Sequence, residues 1–248
     1  MSKAYKVAKF IDNIINKIIS LFFIIAIIFC LYALFDIFTV YNGASSSGKI
    51  AILKPTVEEP IENKIDRLNN INPDICGWIT IDGTNIDYPI LIGEDNSKYL
   101  TRDVYGNYAV YGSIFLDYRN SREWLDKYSV VFGHNMKNDV MFSDIKKFAE
   151  QEFFDTHTTG MIYTKNGIFE LQIFAFLETD AFDSNVYGIK SSNEKSIFDK
   201  VEYIKENAIH YREVEFLEED KIIALSTCKN NVTDGRQILF VKISNKVN

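Results

Sequence analysis

Histidine is scarce in this chain: its 248 residues hold three, His134, His157 and His210, scattered along the sequence. Cysteine is as rare, at Cys30, Cys76 and Cys228, with no Cys-x-x-Cys pair. Imidazoles and thiols so far apart do not make a set of metal ligands, so no metal site and no cofactor are expected. Positive charge is short as well, with 27 Lys and Arg against 34 Asp and Glu and a net charge of -7. There is no basic stripe outside the N-terminus, so nucleic acid is not an expected partner. The acidic run from Glu215 to Asp220 reads as a solvated face.

What the chain does contain, 47% hydrophobic and 25% charged residues, suits a globular protein with one sizeable domain beyond any anchor. The anchor is legible near the N-terminus. Ile18 to Phe35 is almost unbroken Ile, Leu, Phe and Ala, and roughly eighteen residues of helix reach about 27 Å. With Ile37 to Tyr41 added beyond Asp36, the segment is long enough to span a bilayer. Lys3, Lys6, Lys9 and Lys17 precede it against Asp12 alone, so the positive-inside rule leaves the N-terminus in the cytoplasm and sends the rest out. The alternative is a cleaved signal peptide, but its apolar region is usually only about 7 to 15 residues and Asn42-Gly43-Ala44 is a poor cleavage site, so the uncleaved anchor is the preferred reading. Gly43 to Lys49 imitates a phosphate-binding loop, but Ile50 stands where Ser or Thr should meet the metal. A Gly/Ser linker is the better reading. The expected organisation is therefore a cytoplasmic N-terminus over 1–17, a transmembrane anchor over 18–41, a linker over 42–56 and a globular domain over 57–248.

Beyond the linker, Thr56 and Glu59 form a capping-box pattern, and Ile61, Ile65 and Leu68 recur at helical spacing until Asn72-Pro73 stops the run. From Trp78 to Val131 short strands alternate with turns at Asp82-Gly83, Tyr105-Gly106-Asn107 and Arg119-Asn120. That spacing favours a closed or nearly closed antiparallel barrel. Met141 to Phe154 reads as a helical connection, and Lys165-Asn166-Gly167 as the turn of a hairpin. The long insert from Ala181 to Lys221 carries Ser191-x-x-Glu194, a capping box, then Ile197, Phe198, Val201 and Ile204 on one helical face. Such a helix is either a lid or groove wall, or a plain cover for the barrel side.

The chemistry is concentrated near the end. Ile222 to Cys228 and Arg236 to Val241 are apolar runs rich in β-branched residues, parted by a polar turn. They read as two strands joined by a loop. Alternation puts Cys228 on one face with Ser226 and Ala224, and Arg236 on one face with Ile238 and Phe240. If the strands are neighbours, a guanidinium lies near the sulfur. Cysteine catalysis needs a thiolate, a proton carrier and donors for the oxyanion. The proton carrier is expected at His134, because Lys127 to Asn135 reads as a strand ending on a histidine. His157 reads as a loop residue and His210 follows a predicted helix, so neither stands at the end of an apolar strand. Each residue alone has a bland reading: a small buried hydrophobe, a surface imidazole, a solvated edge arginine. The three together, on separate strands with matching parity, are harder to dismiss. A disulfide between Cys76 and Cys228 is not expected, since it would silence the only good nucleophile.

These residues carry a family resemblance. Leu225-Ser226-Thr227-Cys228 with Arg236, and Gly133-His134-Asn135-Met136-Lys137 followed by Met141-Phe142, resemble the active-site segments of class B sortases of the Gram-positive cell surface. Asn72 to Ile79 with Asn85 to Ile90, and Ser113 to Asn120, are similar to two further segments of that class. The four blocks occur in the family's order and the resemblance covers roughly Ile61 to Ile243. Ala224 departs from the Thr that many sortases have there, which bears on the groove wall and not on the nucleophile.

The resemblance implies a mainly β fold with flanking helices: a closed antiparallel sortase-type β-barrel, an N-terminal helical segment and a long helix in the insert before the cysteine strand. It implies a membrane-anchored cysteine transpeptidase at the cell membrane, with Cys228, His134 and Arg236 as catalytic residues. Leu225, Ser226, Thr227 and Asn135 would bind substrate. The implied partners are secreted proteins with a C-terminal sorting signal, similar to Asn-Pro-x-Thr-Asn or a Pro-x-Thr-Gly variant, and a peptidoglycan amine. Two alternatives stay open at this point: a hydrolytic cysteine peptidase using the same Cys and His, and a non-enzymatic wall-binding module.

Overall fold

The computed structural model describes residues 3–45, 49–55, 67–229 and 232–247. The chain divides into two compact units, Met1–Asn42 and Gly43–Asn248. In the first, the Ile- and Phe-rich run forms one helix, α1 (Lys3–Ala44), with neither Gly nor Pro inside the apolar stretch to interrupt it. It is long and apolar enough to cross a membrane. The helix expected from Thr56 to Asn72 lies mostly outside the described residues; its last turn, 67–69, is helical, and Leu68 is fully buried.

Among the described residues of the second unit, nine strands form one sheet. They are β1 (Ile75–Ile81), β2 (Asp87–Ile92), β3 (Ile114–Leu116), β4 (Tyr128–Phe132), β5 (Thr159–Thr164), β6 (Gly167–Asp180), β7 (His210–Tyr211), β8 (Lys221–Cys228) and β9 (Gly235–Val247). The order is β5-β1-β2-β3-β4-β8-β9-β6-β7, and pairing of β5 with β6 closes the first eight into a barrel. Closure satisfies the edge hydrogen bonds that an open sheet would leave unpaired. β5 and β6 form the expected hairpin, with Thr164 opposite Gly167.

The all-antiparallel expectation needs correction, because β2 pairs with β3 and β4 with β8 in parallel. Parallel neighbours need a long crossover, and both pairs have one. Segment 93–113 carries the chain back between β2 and β3, and everything from 133 to 220 lies between β4 and β8.

The β4–β5 connection holds a 3-10 turn, Ser143–Ala149, and α2 (Gln151–Thr156), as the apolar spacing suggests. The insert after β6 folds into α3 (Ser184–Tyr187), α4 (Ile189–Glu194) and α5 (Ile197–Asn207). The cap of the longest helix is Ser196, whose hydroxyl accepts from the Phe198 amide at 3.2 Å. Ser191 instead lies inside α4, so the expected capping box begins one helix too early. Val186, Ile189, Ile197 and Ile204 from these helices pack with Tyr128, Val130, Ala224, Ile238 and Phe240. The insert thus covers the outer face of β4, β8 and β9, the face that also carries Ser226 and Cys228 by alternation.

Candidate active site

β8 is buried from Ile222 to Thr227 and emerges at its last residue, Cys228, whose side chain is exposed. β9 runs back beside it, and Cys228 is the Cα partner of Arg236. Directly opposed residues of an antiparallel pair point to the same face, so thiol and guanidinium share one side of the sheet. The Lys229 amide donates to the Gly235 carbonyl at 2.8 Å and closes the turn between the strands. Arg236 Nη1 donates to the Gly235 carbonyl at 2.9 Å.

The histidine arrives from the other neighbour of β8. β4 runs parallel to β8 with Phe132 opposite Ser226, and side-chain and backbone bonds continue the match beyond the strand. The Gly133 amide donates to the Ser226 carbonyl at 3.1 Å. The Thr227 hydroxyl donates to the Gly133 carbonyl, and Asn135 Nδ2 to the Cys228 carbonyl, each at 2.8 Å. Gly133 permits this approach, because a Cβ there would meet Ile114 Cδ1 at 2.4 Å and the Phe142 ring at 2.6 Å.

His134 Nε2 lies 2.8 Å from the Leu100 carbonyl oxygen. A carbonyl can only accept, so Nε2 carries the proton and Nδ1 holds the lone pair of the neutral ring. Behind the histidine the chain turns through Asn138, Asp139 and Met141, all at positive φ (63°, 52° and 59°). Non-glycine residues hold that conformation only when their surroundings impose it. Here Asp139 is paired to Lys146 at 3.1 Å and to Lys147 at 3.0 Å, and Ser143 Oγ accepts from the Met136 amide at 2.6 Å.

His134, Cys228 and Arg236 open into one groove of about 210 Å³, with Gly133, Ser226 and Thr227 on its wall. Leu100, Phe115 and Phe132 give it apolar surface, and Asn96 a polar edge. Tyr187 of α3 packs against two residues of this wall: its hydroxyl is 2.8 Å from Ser226 Oγ and its ring stacks on Phe132 with centroids 6.1 Å apart. Burial pushes the Tyr187 hydroxyl up to about 12, so it stays protonated at neutral pH. Asn96 is fixed at both ends of its amide, donating to Asp117 at 2.8 Å and accepting from the Tyr118 amide at 3.0 Å. Asp117 has no exposed surface and takes Arg119 through Nε at 2.8 Å and Nη2 at 2.7 Å. Burial alone would raise that carboxyl; the bonds from Arg119 and Asn96 together outweigh it and hold the group below the usual carboxylate range.

Of the residues singled out from sequence, Cys228, His134, Arg236, Ser226 and Thr227 line this groove. Asn135 stands behind Cys228, donating to its carbonyl. Leu225 is fully buried on the opposite face of β8 and does not line the groove. Asn96, Leu100 and Tyr187 were not anticipated. The Leu100 contact is made by a backbone carbonyl, which leaves no trace in residue identity.

The remaining histidines are occupied elsewhere. His157 stacks on Phe153 with centroids 3.7 Å apart, and His210 Nε2 meets the Ala149 carbonyl at 2.8 Å. Cys76 is a free thiol, buried, and pushed up by that burial to about 12. It has no access to the groove chemistry.

No family model matches the chain. Whole-sequence and structural relatives do. Sortase B of Listeria monocytogenes is 35% identical over 194 residues, 77% of this chain and 78% of the relative. The crystal structure of a Streptococcus pyogenes class B sortase involved in pilus biogenesis is 39% identical, with a TM-score of 0.68 over 75% of this chain and all of that one. Clostridium perfringens sortase B is 32% identical, with a TM-score of 0.67 over 73% of this chain and all of its own. The matched fraction is large enough to take in barrel and groove alike, and the chain belongs to the class B sortases, a family of cysteine transpeptidases.

Proposed function

We propose that Cys228 is the nucleophile of a transpeptidation that joins secreted proteins to the cell wall. Its sulfur attacks the carbonyl of a threonine in a C-terminal sorting signal. The thiol proton passes to His134, the tetrahedral intermediate collapses, and His134 returns the proton to the departing amine. An acceptor amine then attacks the thioester, gives its proton to His134 and frees the sulfur. With Nε2–H committed to Leu100, Nδ1 is the nitrogen that exchanges these protons. Arg236 holds the substrate backbone and stabilises the oxyanion, because a guanidinium keeps its charge and offers several donors in a fixed plane. Ser226, Thr227 and Asn135 shape the substrate side.

The observation that carries this reading is the pairing of Cys228 with Arg236 across β8 and β9, with His134 in the same groove. The signal is of the Asn-Pro-x-Thr-Asn or Pro-x-Thr-Gly kind, and the acceptor is an amine of peptidoglycan or its precursor. The helix α1 serves as a single-pass anchor, with its lysine-bearing end in the cytoplasm and the barrel outside.

The test is incubation of the barrel unit with both kinds of signal peptide, with and without an amine acceptor, and mass analysis of the products. The expected product is the peptide joined through threonine to the acceptor, absent with Cys228→Ala. Release of free acid alone at saturating amine would make the enzyme a hydrolase and overturn the transferase reading.

A further inference from the structure

The residue that follows the nucleophile is a lysine whose charge is held from two strands away. Lys229 Nζ forms an ion pair with Glu178 Oε2 on β6. The other carboxylate oxygen of Glu178 accepts from Gln237 Nε2 at 2.9 Å. Glu178 and Gln237 are Cα partners across β6 and β9, and the next pair along is Thr179 with Arg236. One carboxylate therefore engages the neighbour of Cys228 on one side and the neighbour of Arg236 on the other. The brace is reinforced by backbone, with the Lys229 amide on Gly235 and the Ala181 amide on Asp234, each at 2.8 Å.

Cys228 needs such support. It is the last residue of β8 and exposed, and its register with β9 ends at its own pair with Arg236. Beyond it, the side chain of Lys229 crosses β9 to reach β6. The pair is partly shielded, with side-chain exposures of 38% for Lys229 and 24% for Glu178. Burial alone would raise the Glu178 carboxyl, yet the bonds from Lys229 and Gln237 leave it below its usual range and charged at neutral pH.

We propose that Glu178 is a positioning residue for the transpeptidation, which through Lys229 and Gln237 sets the placement of the Cys228 sulfur against the Arg236 guanidinium. The inference rests on the reading of Cys228 and Arg236 given above. Glu178 touches no substrate; it acts through the two residues that flank the reacting pair. Small misplacements of a nucleophile are expensive in rate, on the order of a hundredfold for about 1 Å.

The experiment is a double-mutant cycle on the full chain in detergent, with an Asn-Pro-x-Thr-Asn peptide and an amine acceptor, following kcat, KM and the unfolding midpoint. Glu178→Gln and Lys229→Met are each expected to lower kcat about tenfold to a hundredfold, with KM within about twofold of the parent. The double variant should be no worse than either single one, because both remove the same contact. The charge-swapped Glu178→Lys, Lys229→Glu protein should recover kcat to within about threefold of the parent. A kcat near the parent's in Glu178→Gln, additive losses in the double variant, or no recovery in a folded swap would each overturn the inference. So would a Lys229→Met loss far above that of Glu178→Gln, which would make the lysine a substrate contact. Failure of the underlying reading shows separately, as turnover retained by Cys228→Ala.

Discussion

Raising the pH from 7 to 9 is expected to stabilise the barrel unit relative to its Lys200→Met variant by about 1.4 kcal/mol. Lys200 lies on α5 with only 7% of its surface exposed. Its ammonium sits 4.1 Å above the centre of the Tyr128 ring and donates to Ser192 Oγ at 2.7 Å and to the Asn185 carbonyl. Burial pushes it down to about 8, against the pull of Asp183 and with a smaller push from Lys195. In the unfolded chain the same lysine titrates near about 10.4. Between those two values the unfolded chain holds more of the proton, so stability rises with pH across the window. Burying the ammonium is a full penalty below pH 8, and it is relieved as pH climbs through 8 towards about 10.4. Integrated from pH 7 to 9, the difference amounts to about one pK unit, hence about 1.4 kcal/mol. Cys76 and Tyr187, both pushed up to about 12, act in the opposite sense at higher pH. They are common to both proteins and cancel in the comparison. Urea unfolding at the two pH values measures the gap between parent and variant. A gap that moves by less than about 0.3 kcal/mol would mean that Lys200 keeps an ordinary pKa in the folded protein and that the insert does not bury it.

At the groove, Arg236→Lys is expected to lower kcat/KM about a hundredfold, because a point charge does not reproduce the planar fork; near-parent kinetics would reduce Arg236 to a structural role. His134→Ala should lose nearly all turnover, whereas His157→Ala and His210→Ala should keep it, since those rings are occupied by Phe153 and by the Ala149 carbonyl. Iodoacetamide on the folded barrel unit at pH 7.5 should modify Cys228 and spare Cys76. A thiol raised to about 12 by burial presents roughly one thiolate in 30,000 molecules at that pH. Peptide mapping that finds Cys76 modified as fast as Cys228 would contradict the buried placement.

The three groove residues were legible because strand alternation and rarity do most of the selecting. With three histidines in the chain, one at the end of an apolar strand stands out. The parity that puts Cys228 on the face of Ser226, and Arg236 on that of Ile238, is carried by the letters themselves and reappears in the β8–β9 register. The direction of β4 against β8 was not legible, because pairing of strands so distant in the chain is decided by the packing of everything between them. The helix cap failed for a local reason. Ser196-x-x-Asp199 resembles Ser191-x-x-Glu194, and only tertiary contacts decide that the longer helix starts at the second. Asn96 and Leu100 reach the groove from the one segment between β2 and β3, and Tyr187 packs against its wall from α3; none is marked by a motif.

The parallel step between β4 and β8 is also what makes the groove possible. β8 has eight residues, about 26 Å at a rise of about 3.3 Å per residue. In an antiparallel pair the end of β4 would lie beside the beginning of β8, and His134 would stand most of that length from Cys228. Running the strands the same way puts both C-terminal ends on one rim, where the bonds of Gly133, Thr227 and Asn135 lock them together. The same choice obliges the chain to make a long crossover. Part of that crossover is the helical insert, which packs on the outer face of β4 and β8 and brings Tyr187 to Ser226. A single topological decision therefore brings the imidazole and the thiol to one groove and packs the insert against Ser226 and Phe132 of its wall.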